Sequence, residues 1–408
     1  MKVEKNLPQH VKYWLSATSK NDCFFVLKSE LDETVRIGAM KVFVCAYSEP
    51  LRNMLELSEL VEQNDVKIED VEAGTFWTFL KCLYGGSDYV IPRLSCEESI
   101  RLLYVMEKYL VTELKPKVVF HILQVLPLVF ENIFCTMSSQ VCFLDESLED
   151  AIMEIVALKT KEIFTSELFL QLSSLSVLRI VKADHLNTSE TNVWDAVVKW
   201  ARHTTESGDG EILRNLLRPH LKFIRVCTFS CEDFCKKVVS TGILTCEEVN
   251  EICKYFGTGV APQLEFICDS TDPRSKLVVT EKTFYHIVND ISELKSVGYK
   301  SQLFMFVDYF WHILVQKRDD NLALFVACSG NPDDLSWKLN INAEICLVNQ
   351  ERNQNFSRHF SHCFCIDKDD WGWRNFLTWS ALSDGYVKDN TIIVKVHLKT
   401  GSIDKEID

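Results

Sequence analysis

The sequence has little that would suit it to nucleic acid, to a membrane or to bond-making chemistry. Lysine and arginine number 44 against 58 acidic residues, a formal charge of −14. A general nucleic-acid binder needs a basic face to pair with phosphates, and an anionic membrane surface would repel such a chain. No run reaches the roughly 18 uncharged apolar residues of a membrane span. The longest apolar-rich stretch, Val118–Ile133, contains His121, Gln124 and Glu131 and reads as a buried helix or helix pair. The opening MKVEKNLPQHVKYWL lacks the apolar core of a signal peptide. There is no low-complexity tract and no repeat of fixed period.

The common catalytic signatures are missing too. HExxH, GxxxxGK(S/T), GxSxG and the kinase set do not occur, so neither a cofactor nor a metal is expected. Sixteen cysteines are present, none in a CxxC pair, which removes the zinc-ribbon and thioredoxin signatures. Many, such as Cys82, Cys253 and Cys346, lie in apolar runs, where a free thiol behaves as a small hydrophobe. A reducing compartment, cytosol or nucleus, is the expectation. Cys363 and Cys365 with His359 and His362 suggest a metal or thiol site, but strand alternation puts both thiols on one face and predicts core packing. Cys227, Cys231 and Cys235, at i+4 spacing, are expected to be structural. Acidic runs such as Glu30–Glu33 read as solvated faces.

What is there is ordinary globular protein: 47% apolar and 25% charged residues, in a length that suits roughly two to four domains. Residues 1–130 mix strands and helices. Asp22–Leu27 and Val35–Val44 read as strands joined by an acidic hairpin, followed by a helix near Glu49–Leu57. Ile68–Val71 leads into a helix with Phe76, Phe79, Leu80 and Leu83 on one stripe, ended by Gly85–Gly86. Leu102, Val105, Met106, Tyr109 and Leu110 form a second stripe.

Residues 131–258 read as wholly helical. Asn187 is the predicted N-cap of a helix through Trp200, with Glu190 at N3 completing a capping box, and another helix follows Thr245. Residues 259–276 read as a linker, with Gly257 just before it and Gly259, Pro262 and Pro273 within it. From 277 to 408 the period becomes two. Leu303–Val307, Trp311–Val315, Leu322–Ala327, Trp337–Ile341, Glu344–Val348, His359–Ile366 and Thr391–Leu398 are the predicted strands of an antiparallel β-sandwich.

Three stretches resemble known families. Asp22, Ala39-Met40-Lys41, SEPLRNML (48–55), VKIEDVE (66–72), FWTFLKCLY (76–84) and Glu107-Lys108-Tyr109-Leu110 are similar to a BTB/POZ domain. LNTSETNVWDAVVKWA (186–201), Phe223-Ile224-Arg225 and Gly242–Thr245 resemble a BACK domain. FYHIVNDISEL (284–294), Asp369–Trp373, Phe376-Leu377 and Gly385-Tyr386-Val387 with Asp389-Asn390 resemble a MATH (TRAF-like) domain. The implied fold is multidomain α+β: an α/β BTB/POZ domain, an all-α BACK domain and a C-terminal antiparallel sandwich. BTB–MATH adaptors more often place the MATH domain first.

The resemblance implies homodimerisation, with Asp22 and Lys41 facing each other near the interface; Met40 replaces the family's histidine. It implies docking on a cullin-3-type scaffold through Leu60 and Glu62 of a hydrophobic-x-Glu motif, one residue later than usual. It also implies a groove for an extended client peptide, walled by Asp370, Trp371, Gly372 and Trp373 with Arg374 beside them. The family's groove aromatic is replaced by Cys363, and a basic residue by Asp369. The alternative for Trp371 and Trp373 is core support. The expected function is a non-catalytic adaptor, a substrate receptor of a cullin-3-type ubiquitin ligase whose partners are a second copy, the scaffold and an unidentified protein client. A cullin-independent dimeric scaffold and an enzyme using the Cys/His group of the sandwich stay open.

Overall fold

The computed structural model describes residues 7–16, 20–57, 65–294, 298–301, 303–307, 309–330, 337–352, 354–388 and 390–401. The chain forms two compact units, Met1–Leu277 and Val278–Asp408. Each has its own apolar core.

The first unit begins with helix α1 (Gln9–Ser16) and a three-stranded sheet. The central strand β1 (Cys23–Lys28) pairs antiparallel with β2 (Thr34–Ala39) and parallel with β3 (Asp65–Glu72). Cys23, Phe25 and Leu27 alternate into the core. Between β2 and β3 come α2 (Lys41–Tyr47) and α3 (Glu49–Arg52), the latter running on as a wider turn through Asn53–Leu57. Helix α4 (Ala73–Lys81) buries Phe76, Phe79 and Leu80, as its stripe predicted. It is stopped at Gly85, whose φ of 88° suits glycine. After α5 (Ser87–Val90), helix α6 (Cys96–Lys108) starts on a capping box in which Ser95 and Glu98 satisfy each other's backbone amides.

From here the unit is helical: α7 (Lys115–Val125), α8 (Asn132–Ser138), α9 (Glu146–Leu158), α10 (Thr160–Thr165), α11 (Ser174–Lys182), α12 (Glu190–Thr205), α13 (Gly210–Leu221), α14 (Cys231–Asp233) and α15 (Cys246–Thr258). Trp194 and Trp200 of α12 are buried, and the Trp200 indole donates to Leu172 O at 2.9 Å. The N-cap of α12 is Ser189, not Asn187. Glu190 is therefore the first helical residue and cannot close the predicted box. Both side chains are engaged elsewhere. Asn187 holds the main chain of Leu277 from both sides, at 2.8 and 3.0 Å. Glu190 takes a buried fork from Arg274, at 2.9 and 3.1 Å. The stretch 259–276 thus lies against the helices, with Ile267 buried and the Cys268 amide donating to Leu221 O at 3.0 Å.

The second unit is an antiparallel β-sandwich. One sheet has the order β10-β9-β12-β4, the other β11-β8-β7-β5 with β6 also on β7. The strands are β4 (Glu281–Val288), β5 (Tyr299–Lys300), β6 (Phe304–Phe306), β7 (Tyr309–Arg318), β8 (Asn321–Cys328), β9 (Lys338–Val348), β10 (Phe356–Cys365), β11 (Asp370–Thr378) and β12 (Ile392–Thr400). Two of the predicted strands, Trp337–Ile341 and Glu344–Val348, are one: β9 runs straight through Asn342 and Glu344. These side chains fall on the outer face while Ile341, Ala343 and Ile345 face the core, so polarity there marks a face and not a break. Strands β4, β5 and β11 were not among those predicted.

Because the cores are separate, damage to one should leave the other's melting unchanged. Trp311 is fully buried and its indole donates to Phe306 O at 3.0 Å. Trp311→Ala should cost the sandwich about 3–5 kcal/mol and shift one of two calorimetric transitions. Acid should act on the same transition. His286 is 8% exposed, its Nε2 has no partner, and burial pulls its pKa down to about 4. Between pH 6.5 and 4 the unfolded chain binds a proton that the folded chain refuses, so stability falls as pH drops through that window. His286→Phe should flatten this dependence in melts recorded from pH 7.5 to 4.5.

Candidate partner-binding surfaces

Asp22 ends the loop before β1, and its carboxylate accepts the Lys41 amide at 2.7 Å. Met40, at the N-cap of α2, offers no side-chain cap. Asp22 therefore caps α2 from outside, placing a negative charge at the positive end of the helix. The contact between the two sequence-predicted residues runs through the backbone of Lys41. Asp22 is exposed and Lys41 half-buried, and no ion pair joins their charges within the chain. Nearby, Trp14 of α1 packs edge-on against Phe43 of α2 at 5.4 Å. Tyr13 and Val42 on the same two helices are left exposed.

Leu60 and Glu62 lie outside the described residues. Sequence reasoning missed an apolar cleft of about 340 Å³ lined by Lys115, Val119, Phe120 and Leu123 of α7 and by Asp145. The stretch Val118–Ile133, read as buried, does bury Val118, Val119 and Ile122 but turns Phe120 outward. Lys115 forms ion pairs with Glu107 and, at 4.0 Å, with Asp145, so a polar rim borders an apolar floor.

In the sandwich, β11 is the last strand of its sheet among the described residues, pairing with β8. Such an edge presents backbone groups to which an extended peptide can add as a further strand. Trp371 pairs opposite Val326 and Trp373 opposite Leu324, both core residues, so the two indoles point inward between the sheets. Trp373 meets Phe360 at 5.7 Å and Phe376 at 5.8 Å. Trp371 stacks on His362 at 4.4 Å and keeps 44% of its surface exposed. Trp373 is thus mainly a buttress, whereas Trp371 forms part of the rim. Asp370 is exposed on the opposite face, across Ala327 from His312. Arg374 is exposed where the ladder slips between Trp373 and Leu377.

Gly372 serves a contact within the sandwich. A Cβ there would sit 2.1 Å from Leu324 O and 2.6 Å from Phe325 Cα, so its absence lets β11 lie against β8. Cys363 is exposed, not in the core, and Cys365 is half-buried. Phe360 and Phe364 take the inner positions of β10, which forces the odd-numbered residues outward. Among the described residues no three His, Cys, Asp or Glu side chains converge as a metal site. Cys227 is buried, its thiol pushed up to about 11 chiefly by burial, whereas Cys231 and Cys235 are exposed.

Three family profiles match in succession: BTB/POZ domain at residues 15–126, BACK (BTB And C-terminal Kelch) at 135–230 and MATH domain at 288–400. The chain thus carries BTB/POZ, BACK and C-terminal MATH domains in that order. It is 27% identical over 231 residues to BTB/POZ domain-containing protein 3 of Homo sapiens, covering 55% of this chain and 43% of the relative. It is 29% identical over 208 residues to BTB/POZ domain-containing protein 6 of Xenopus tropicalis, covering 50% of the chain and 38% of the relative. A third match, ubiquitin carboxyl-terminal hydrolase 7 of Drosophila melanogaster, is 32% identical over 124 residues, 29% of this chain and 11% of the relative. The chain thus spans less than half the length of these relatives.

Within the MATH domain, Gly372→Ala should detach β11 from β8, with the 1–3 kcal/mol typical of overpacking read from the sandwich melt. Trp373→Ala should lower that melting temperature clearly more than Trp371→Ala. Equal effects would contradict the division of roles between the two indoles.

Proposed function

We propose that the chain is a dimeric, non-catalytic adaptor that serves as substrate receptor of a cullin-3-type ubiquitin ligase. The BTB domain pairs two copies and binds the scaffold, and the MATH domain captures a protein client. The observation that carries the reading is the co-occurrence of three exposed faces on one chain that also has the BTB–BACK–MATH order. These are Tyr13 and Val42 near Asp22, the Phe120 cleft, and the β11 edge with Trp371. The first suits a second copy, with Asp22 and Lys41 beside the interface. The second, together with Leu60 and Glu62, suits an apolar anchor of the scaffold. The third suits an extended client segment lying along Asp370–Arg374, with Trp371 as the exposed aromatic contact. Two client sites on one dimer raise avidity through effective concentration alone. A match to a protein named as a ubiquitin hydrolase agrees with a place in ubiquitin chemistry.

No helix among the described residues is long and apolar enough to cross a membrane. We place the adaptor in the cytosol or nucleus, where sixteen unpaired cysteines stay reduced. The competing reading is a dimeric scaffold that binds no cullin. A pull-down with purified cullin-3 separates the two. The full chain should bind at low micromolar concentration, and Phe120→Asp or the double change Leu60→Asp with Glu62→Ala should weaken binding at least tenfold while the dimer persists by light scattering. Failure of the wild-type chain to bind would leave the scaffold reading.

A further inference from the structure

The stretch 259–276, between α15 and the sandwich, has the composition of a flexible tether, and a flexible tether of that length would span roughly 20–25 Å r.m.s.. Its contacts are those of a clasped strap. Arg274 crosses 84 positions of sequence to reach Glu190. Its fork is satisfied by both carboxylate oxygens and by the carbonyls of Ala183 and Phe223. The two side chains are 4% and 8% exposed. Glu190 also accepts the Arg225 amide at 2.8 Å, and Arg225 in turn reaches Asp272 O at 3.1 Å. Ser275 pairs with His185 as an isolated parallel bridge.

The last contact is the most telling. Asn187 mimics a strand partner: its Oδ1 accepts the Leu277 amide and its Nδ2 donates to the Leu277 carbonyl. Two residues on, Val279 already packs against the sandwich core, and Thr280 O accepts the Thr400 amide at 2.8 Å. Only Val278, 73% exposed, lies between the last clasped residue and the first packed one.

We infer that residues 264–277 are a strap latched to the BACK helices by Glu190, Arg274 and Asn187, and not a flexible tether. Asn187 and Glu190 are positioning residues. Opening the latch would free the strap from the helices without touching the apolar core of either unit. The inference stands whether or not the chain binds a cullin.

Hydrogen exchange on the full chain, with tryptic digestion under native conditions, tests it. The amides of Cys268 and Leu277 should exchange at least tenfold more slowly than in an unstructured peptide, and trypsin should spare the bond after Arg274. Asn187→Ala and Glu190→Gln should each speed Leu277 exchange at least tenfold and expose the Arg274 bond, with the Trp311 sandwich core still melting as in wild type. Arg274→Lys, which keeps the charge and loses the fork, should fall between. Unprotected Cys268 and Leu277 amides in the wild-type chain would overturn the strap, without reference to any variant's folding. Protection unchanged in both Asn187→Ala and Glu190→Gln would overturn the latch.

Discussion

Glu190 and Arg274 have both left water, and neither could do so alone. An unpaired buried charge costs several kcal/mol, and removing one partner of such a pair typically costs about 3–5 kcal/mol. The remaining hydrogen-bonding capacity of Arg274 goes to two backbone carbonyls and that of Glu190 to the Arg225 amide. The start of α12, the turn at Phe223–Arg225 and the strap are therefore held to one polar point. The rest of the helical unit is apolar packing around Trp194, Trp200 and their neighbours, which fixes that the helices associate but not where the following chain must run. The polar point supplies that direction.

In the sandwich the governing constraint is alternation along strands with a free edge. Each inward position on β10 and β11 is aromatic or long: Phe360, His362 and Phe364 on one, Trp371 and Trp373 on the other. These side chains close the open side between the sheets. Where the ring lies deeper, as at half-buried Trp373 against Phe360 and Phe376, the aromatic is support. Where the strand nears its end, as at Trp371, part of the ring stays in water. One sequence pattern, Trp-x-Trp, thus yields two roles set by depth. Asp370 and Arg374 are exposed, and among the described residues no further strand lies on that edge.

The helical stripes were legible because burial repeats with the helical period, and Phe76, Phe79 and Leu80 lie where that period put them. The succession of α/β, helical and β segments was legible for the same reason. The helix expected after Thr245 starts there, on a box of Thr245 and Glu248, whereas the box expected of Asn187 and Glu190 does not form because both side chains meet distant partners. The inner or outer placement of Cys363 was misread because a strand's alternation gives two faces without saying which is inside; Phe360 and Phe364 decided that. Phe120 was misread in the other direction, since an apolar residue in an apolar run carries no mark of exposure.

By itself, then, the sequence determined the succession of α/β, helical and β segments and which residues of the apolar stripes share a face, because these follow from local propensity and period. It also determined that no common catalytic or phosphate-binding signature is present. Only the tertiary structure decided that Glu190 meets Arg274, that Asn187 grips Leu277, that Gly372 makes room for β8, and that Trp371 is more exposed than Trp373. Each of these is a meeting between residues far apart along the chain, or a depth within an assembled sandwich. Neither quantity exists until distant segments are packed together.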